Sequence, residues 1–262
     1  MRLTGRMLSI CAWQLSTGAR LVEHESVRLP SASLIKVPVA LAVLRARDRG
    51  LLRLEEAVPV DAVPVVGGAG VLRQLSGSPA CPVGDLLTLM ITVSDNLATN
   101  LLLEQLDRVS GSAYAAVAEI CELAGLADTV LQRRMMDPAA VDAGRDNWTT
   151  AADQCRLMAL IARGELSNIV DPESASLLRK VLLAQQLSSG LAEVVPADLQ
   201  LGHKTGSLAG ILHDAGFLLS PAGTPIAAIA VLTRGGPGEA ARMRTTLTDR
   251  AGQALTALGV PD

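Results

Sequence analysis

Strand-like segments lie at both ends of this chain and enclose a long middle part with helical periodicity. Two N-terminal segments, Met7–Gln14 and Arg20–Glu25, are separated by a Ser-Thr-Gly turn and predict a hairpin. Beyond Pro196 the pattern is again that of strands. The C-terminal segments are Leu199–Lys204, Ile211–Leu219 and Pro225–Thr233, followed by a helix over Glu239–Leu258. Strands at both ends predict an α+β fold in which the hairpin and the C-terminal meander share one antiparallel sheet flanked by helices.

The middle part predicts a mostly helical insertion. A largely buried helix is expected over Ser33–Arg47, and Pro38 requires that it begin near Ser33, because proline is tolerated only in the first turn. Residues 55–84 are rich in Pro and Gly and predict loops with short elements. Further helices are predicted over Asp85–Thr92, Asn96–Leu106, Ser112–Leu123, Thr150–Ala162 and Pro172–Leu183. The predicted domains are a sheet domain of residues 1–30 and 196–262 and a helical domain of residues 31–195.

Composition excludes several classes of function. The chain has 23 Lys and Arg against 26 Asp and Glu, no basic run and only four aromatic residues (two Trp, one Tyr and one Phe), so nucleic acid is not an expected partner. Its longest apolar stretches, such as Val37–Leu44, are far shorter than the roughly 20 residues that cross a bilayer, so no membrane partner is expected. Met1–Ile10 lacks the features of an export signal. We expect a cytoplasmic protein if the chain is full length, and an extracytoplasmic one if a signal peptide has been removed.

Cysteines and histidines show no metal-ligand spacing. The four cysteines form no CxxC pair, and the three histidines form no HExxH motif, so neither a metal nor a cofactor is expected. Lysine is more informative, because only three of the 23 basic residues are lysines: Lys36, Lys180 and Lys204. A lysine can lose its proton and an arginine cannot. Two of these lysines, Lys36 and Lys204, are candidates for chemistry.

Three short motifs occur in order: Ser-Leu-Ile-Lys at Ser33–Lys36, Ser-Asp-Asn at Ser94–Asn96 and Lys-Thr-Gly at Lys204–Gly206. Each is weak alone, but the ordered set resembles the penicillin-recognising serine hydrolases, and within them the class A β-lactamases and their relatives. The resemblance extends from Met7 to Gly259. It implies a β-lactamase/transpeptidase-like fold with an active site in the cleft between the sheet domain and the helical domain.

Ser33 is the implied nucleophile. Residues three apart share one helix face, so Lys36 is predicted to hydrogen-bond the Ser33 hydroxyl. Burial and the positive charge of Lys204 would favour a neutral Lys36, which can accept the Ser33 proton. The resemblance further implies that Ser94 relays a proton to the leaving nitrogen and that Lys204 holds and polarises Ser94. Asp95 is expected to cap the following helix and tie down the loop.

Substrate contacts are also implied by the resemblance. The expected substrate-binding residues are Asn96, Thr205, Gly206 and Ser207. Asn96 would bond the substrate's amide and Lys36, while the strand edge at 204–206 would bind an extended acyl substrate. The backbone N–H groups of Ser33 and Ser207 would form the oxyanion hole.

The chain departs from the class A pattern in one loop. In those β-lactamases an Arg-x-Glu sequence, followed four residues later by Asn, supplies the carboxylate that hydrolyses the acyl-enzyme. Here Met135 or Met136 stands at the Glu position, and alanines stand where the Asn belongs. Asp137 is the nearest carboxylate; it could orient a water or be a solvated loop residue. The Arg that many members carry after Lys-Thr-Gly is replaced by the pair His213 and Asp214. Acylation chemistry is therefore supported, whereas fast deacylation is not.

The leading hypothesis is a serine hydrolase that cleaves a lactam, amide or ester of a small molecule through an acyl-Ser33 intermediate. Two alternatives use the same serine. The first is a sensor or binding protein that is acylated by a β-lactam and holds the adduct. The second is a cytoplasmic biosynthetic amidase, esterase or acyltransferase.

Overall fold

The computed structural model describes residues 5–77, 79–236 and 238–260. Within these ranges the strands are β1 (Met7–Gln14), β2 (Arg20–Glu23), β3 (Leu29–Pro30), β4 (Ala57–Pro59), β5 (Ala80–Pro82), β6 (Trp148–Thr149), β7 (Gln200–Leu208), β8 (Ile211–Leu219) and β9 (Pro225–Arg234). The helices are α1 (Lys36–Asp48), α2 (Val83–Thr92), α3 (Asn96–Ser110), α4 (Ala113–Ala124), α5 (Pro138–Asp142), α6 (Ala151–Arg163), α7 (Pro172–Leu183) and α8 (Ala240–Ala257).

Five of these strands form one antiparallel sheet in the order β2-β1-β9-β8-β7. The N-terminal hairpin pairs with the last strand of the C-terminal meander, through a register that runs from Met7 opposite Arg234 to Gln14 opposite Ala227. The predicted α+β architecture is therefore confirmed. Strand β7 lies at the edge of the sheet, and this position leaves its outer backbone groups accessible to another chain segment.

The end predicted for β7 is wrong. The sequence indicated a strand that stops at Lys204, but the strand continues to Leu208. Pairing with β8 explains the difference, since the ladder runs from Lys204 opposite Ala215 to Leu208 opposite Ile211. A cross-strand ladder can override the weak strand preference of short polar residues.

The start of the first helix also differs from the prediction. Residues Ala32–Ile35 form one turn of 3₁₀ helix, and the α-helix begins only at Lys36. Helix α1 is then buried on almost every side, in contact with α3, α4 and α7. At the start of α6, Thr150 Oγ1 accepts from the Asp153 N–H at 3.1 Å and caps the helix, whereas the Asp153 carboxylate bonds to residues 128 and 129.

Two apolar layers hold the sheet. Helix α6 and the helices beyond it cover one face, and α8 covers the other. The larger layer includes α1, so the sheet and the helical part share one continuous core. The turn at the N-terminus of α1 is thereby held beside β7. The two-domain division itself stays a prediction. Among the described residues, every helix is too short or too polar to cross a membrane.

Candidate active site

Gly206 lets the edge strand approach the turn that carries Ser33. A Cβ on Gly206 would lie 3.2 Å from the Ala32 Cβ and 3.3 Å from the Ser31 carbonyl oxygen. Contacts that short require the neighbouring backbone to shift, so a side chain here would push β7 away from the turn. The Ser-Leu-Ile-Lys and Lys-Thr-Gly motifs are 171 residues apart, counted from Ser33 to Lys204. They can lie side by side because Gly206 has no side chain.

Backbone strain is concentrated around the same place. Ala32, Ser94 and Met136 adopt positive φ angles of 46°, 57° and 57°, and the one other described non-glycine residue with a positive φ is His24. Each such residue costs of the order of 1–3 kcal/mol, and packing must hold it in place. Ala32 precedes Ser33, Ser94 opens the second motif, and Met136 lies in the loop that departs from the class A pattern. Strain clustered in this way is typical of functional sites.

The two lysines of the motifs converge on the hydroxyl of Ser94. Lys204 Nζ donates to Ser94 Oγ at 3.0 Å, and Lys36 Nζ lies 3.1 Å from the same oxygen. Lys36 Nζ also donates to the Ser94 carbonyl oxygen at 2.7 Å and to Asn96 Oδ1 at 2.8 Å. Both lysines are completely buried. All three motifs thus form one hydrogen-bonded cluster.

The predicted bond between Lys36 and Ser33 is wrong for this structure. Among the contacts of the described residues, Lys36 Nζ is bonded to residues 94 and 96 and has no hydrogen bond with Ser33. The prediction considered only the helical turn that carries both residues. In the structure, the Lys36 amine instead bonds to acceptors that tertiary packing brings close to it. Ser33 itself is half-buried and faces the cleft.

Burial makes both lysines weak bases. Desolvation, and next the charge of Lys204, hold the pKa of Lys36 well below its ordinary value, so its neutral form is favoured. A neutral amine has two N–H donors, which the Ser94 carbonyl and Asn96 Oδ1 accept, and a lone pair that is left for a hydroxyl proton. Burial also lowers the pKa of Lys204, to about 7, although Asp214 acts in the opposite direction. The lowered pKa of Lys36 favours its role as a proton acceptor, while Lys204, with a pKa of about 7, is partly protonated at neutral pH.

Asp95 joins the loop before α2 to the start of α3, as expected. Its Oδ1 accepts from the Ala98 N–H at 2.9 Å and caps α3. Its Oδ2 accepts from the Val71 and Leu72 N–H groups at 2.7 and 2.8 Å. This buried carboxylate therefore satisfies three backbone donors and fixes the cleft wall next to Ser94.

Replacing Asp95 with alanine is expected to lower the free energy of unfolding by about 3 kcal/mol, because three N–H groups, two of them in buried bonds, lose their acceptor. The matched control is Asp137→Ala, which removes a helix cap with a single N–H donor in a half-buried position and should cost about 1 kcal/mol. Urea unfolding of both variants measures the difference. Equal losses would show that the carboxylate of residue 95 does not hold the loop.

Two buried histidines, His203 on β7 and His213 on β8, were not assigned a role from the sequence. His213 Nε2 donates to the Pro30 carbonyl oxygen at 3.0 Å, and its Nδ1 accepts from the Thr233 N–H at 3.1 Å. Burial lowers the pKa of His213 to about 4, which agrees with this neutral tautomer. His203 Nδ1 lies 3.0 Å from the buried Asp214 carboxylate. His213 thus ties β8 and β9 to the segment that leads into Ser33.

A cleft of about 680 Å³ opens beside the cluster. Ser33, Asn96 and Ser207 line it, together with the loop at residues 65–69 and the loop at residues 133–138. Thr205 and Gly206 precede Ser207 on the edge strand. The residues predicted from the sequence therefore lie in or directly behind one cleft. In the described ranges, no group of three or more His, Cys, Asp or Glu side chains is placed to hold a metal.

The loop at residues 133–138, where class A β-lactamases carry the deacylating carboxylate, is held by two hydrogen bonds between Asn100 and Met135. The sequence did not predict this clamp. Asn100 Oδ1 accepts from the Met135 N–H at 2.8 Å, and Asn100 Nδ2 donates to the Met135 carbonyl at 3.1 Å. The buried Met135 side chain lines the cleft. Asp137 lines it too, but its carboxylate accepts from the Ala140 N–H at 2.9 Å and caps α5. Its suggested role in deacylation stays a prediction.

Comparisons with known proteins agree over nearly the whole chain. Residues 2–257 match the profile of the beta-lactamase enzyme family. A beta-lactamase of Streptomyces albus G is 29% identical over 265 residues, or 98% of this chain and 82% of that protein. The structure of a beta-lactamase from Sphaerobacter thermophilus is 28% identical, with a TM-score of 0.84 over 100% of this chain and 95% of that one. A point mutant of PBP-A, solved as an acyl-enzyme complex with penicillin G, is 24% identical, with a TM-score of 0.85 over 98% of this chain and 92% of that one.

Proposed function

Because the chain belongs to the beta-lactamase enzyme family, it is a class A β-lactamase-like serine hydrolase, and we propose that it forms an acyl-enzyme on Ser33 that it hydrolyses slowly. The proposed substrates are β-lactams and small molecules with a reactive amide or ester. The observation that carries the proposal is the convergence of Lys36 and Lys204 on Ser94 Oγ, at 3.1 and 3.0 Å, beside the cleft that Ser33 lines.

In the proposed acylation, Ser33 Oγ forms a bond to the carbonyl carbon and the C–N bond of the lactam breaks. Neutral Lys36 accepts the Ser33 proton and passes it to Ser94 Oγ, which delivers its own proton to the leaving nitrogen. Protonated Lys204 holds Ser94 and adds positive charge at the site. The backbone N–H groups of Ser33 and Ser207 stabilise the oxyanion, since both residues line the cleft.

Slow release is supported by the side chains of the loop at residues 133–138. Hydrolysis of an acyl-serine needs a base that activates water, and Met135 has none to offer. The nearest carboxylate, Asp137, is already bonded to the Ala140 N–H. Acylation therefore has a complete set of residues here, whereas deacylation depends on water alone or on a weak base.

A time course of intact mass with penicillin G tests the proposal. We expect the protein to gain the mass of one penicillin within minutes and to lose it over hours, and we expect no gain for Ser33→Ala. If the folded wild-type protein gains no mass and hydrolyses no penicillin G, acylation at Ser33 is wrong. If penicillin G is hydrolysed in many turnovers without a lasting adduct, slow release is wrong and fast turnover is established.

Replacing Met135 with glutamate is expected to raise the rate of deacylation at least about tenfold, because it places a carboxylate on the cleft wall where a water can attack the acyl group. The matched control is Met136→Glu, whose side chain is 47% exposed and should change the rate less than threefold. Decay of the penicillin G adduct gives both rates. A faster decay for Met136→Glu alone would assign the general-base position to residue 136 instead.

A further inference from the structure

A second cavity of about 320 Å³ lies next to the catalytic cleft. We call it the distal pocket; the residues that line it and not the cleft are Ala62, Val63, Pro64, Asn100, Glu104 and Arg134. Val66, Met135, Met136, Asp137 and Pro138 line both cavities. Only the thickness of these side chains therefore separates the distal pocket from the space that Ser33 faces.

The partition between the two cavities is apolar and adaptable. Four of its five residues, Val66, Met135, Met136 and Pro138, are apolar, and Met136 is 47% exposed. Methionine has an unbranched, flexible side chain that repacks around different ligands. A Cβ on Gly68 would lie 3.3 Å from the Met136 sulfur, so this side chain extends towards the opposite loop. Rotation of one flexible side chain would therefore join the cleft to the distal pocket.

The walls of the cleft favour an uncharged ligand. Four exposed apolar side chains line the cleft: Val65 (68% exposed), Met136 (47%), Val141 (44%) and Leu208 (37%). Exposed apolar surface at a cleft usually marks a place where a ligand binds. In a substrate-bound state this surface would be covered by apolar groups of the ligand.

The charged groups of these walls are already paired. Arg134 donates to Glu104 at 2.8 Å, to Asp107 at 2.6 Å and to the Asn100 carbonyl at 3.0 Å. Arg133, in the cleft, donates to Asp146 at 2.7 Å. Asp137 lies on the partition and would repel an anion. Among the described lining residues, these arginines are therefore poorly placed to bind a carboxylate on the acyl side of a substrate.

We propose that the distal pocket binds the far end of an uncharged, extended apolar acyl group whose carbonyl carbon is attacked by Ser33. This inference rests on the proposed acylation of Ser33 and specifies its substrate class: esters, thioesters or amides of medium-chain acyl groups. The pocket has room for several methylene groups, since a water molecule in the liquid takes up about 30 Å³. In the ester reaction, Ser33 Oγ bonds to the carbonyl carbon, the C–O bond to the alcohol breaks, and the Ser33 proton leaves with the alcohol.

A chain-length comparison tests the proposal. The rate constant for acylation is measured with p-nitrophenyl butanoate and p-nitrophenyl octanoate, each corrected for the rate with Ser33→Ala. Each buried methylene contributes about fourfold at most, so we expect octanoate to react at least about tenfold faster than butanoate. The p-nitrophenyl monoester of octanedioic acid, which has a terminal carboxylate, should react at least about tenfold more slowly than octanoate.

A substitution that fills the distal pocket tests whether the acyl chain of the substrate binds there. Ala62 is exposed at the distal pocket, and Ala62→Trp should reduce the ratio of octanoate to butanoate rates from about ten to about one. The matched control is Ala222→Trp, in the exposed turn between β8 and β9, which should keep the wild-type ratio. Thermal unfolding confirms that both variants are folded.

The outcomes separate this inference from the proposed function. If penicillin G and both esters fail to acylate Ser33, the proposed function is wrong and this inference fails with it. If Ser33 is acylated but the ratio is close to one, or Ala62→Trp leaves the ratio unchanged, the distal pocket does not bind the acyl chain and only this inference is wrong. Equal rates for octanoate and the terminal carboxylate would overturn the requirement for an uncharged chain.

Discussion

Substituting methionine for Lys36 is expected to slow the acylation of Ser33 by penicillin G about 10³-fold. General-base catalysis contributes 10²–10⁴-fold, and burial together with the charge of Lys204 holds the pKa of Lys36 well below its ordinary value, which favours the neutral amine that can accept the Ser33 proton. Methionine is similar in length and can fill the same buried space, but it cannot accept or pass on a proton. The expected loss is therefore chemical and not a consequence of unfolding. Quenched-flow mass spectrometry at pH 7 measures the rate of adduct formation.

The chain supplies a matched control, because Lys180 is exposed on α7 and lies outside the cluster. Lys180→Met should acylate within twofold of the wild-type rate. Thermal unfolding of Lys36→Met should show a folded protein, since a buried amine is costly to desolvate and a thioether is not. If folded Lys36→Met is acylated within tenfold of the wild-type rate, Lys36 is not the base and the proton must leave Ser33 by another route.

The second large effect is a loss of acylation at alkaline pH. Lys204 donates to Ser94 Oγ at 3.0 Å and has a pKa of about 7. In the proposed acylation, the protonated form of Lys204 holds Ser94. As the pH rises through 7, Lys204 loses its proton, so the rate should fall about tenfold for each further pH unit and about 100-fold by pH 9. Burial lowers this pKa, and the smaller effect of Asp214 on β8 raises it.

Lys204→Arg is the variant that tests this assignment. A guanidinium keeps its proton across this pH range, so the alkaline fall should disappear, although the maximal rate should be lower because the planar group does not fit a site built for an ammonium. Measurement of acylation from pH 6 to pH 10 for both proteins gives the comparison. If Lys204→Arg retains activity and shows the same fall near pH 7, the titrating group is not Lys204.

Much of the fold was predictable because the strands have a local signature. The strand-like, mostly apolar patterns of the terminal segments, such as Met7–Gln14 and Ile211–Leu219, define strands whose ends coincide with the observed ones. The end of β7 was not predictable, since residues 205–208 become a strand only by pairing with β8. Likewise, the 3₁₀ turn at Ala32–Ile35 packs closely against Gly206, which is far away in the sequence, so no local pattern could show this contact.

The candidate site was likewise predictable only in part. The three motifs indicated which residues meet, and Lys204 is bonded to Ser94 and Lys36 to Asn96, as the resemblance implied. The expected Lys36–Ser33 bond was wrong, because the acceptors that bind Lys36 lie about 60 residues further along the chain. The clamp of Asn100 on Met135 spans 35 residues and follows from tertiary packing alone. Local patterns therefore identified the reacting groups, and long-range contacts determined how they are bonded.

The most direct test locates the covalent bond itself. The protein is incubated with penicillin G, quenched in acid and digested with a protease that cleaves after arginine, and its peptides are sequenced by tandem mass spectrometry. The account predicts that the penicilloyl group is attached to Ser33 alone, in the peptide that contains residues 29–45. Attachment to Ser94 or Ser207 would contradict it, because a different hydroxyl of the same cleft would then be the nucleophile.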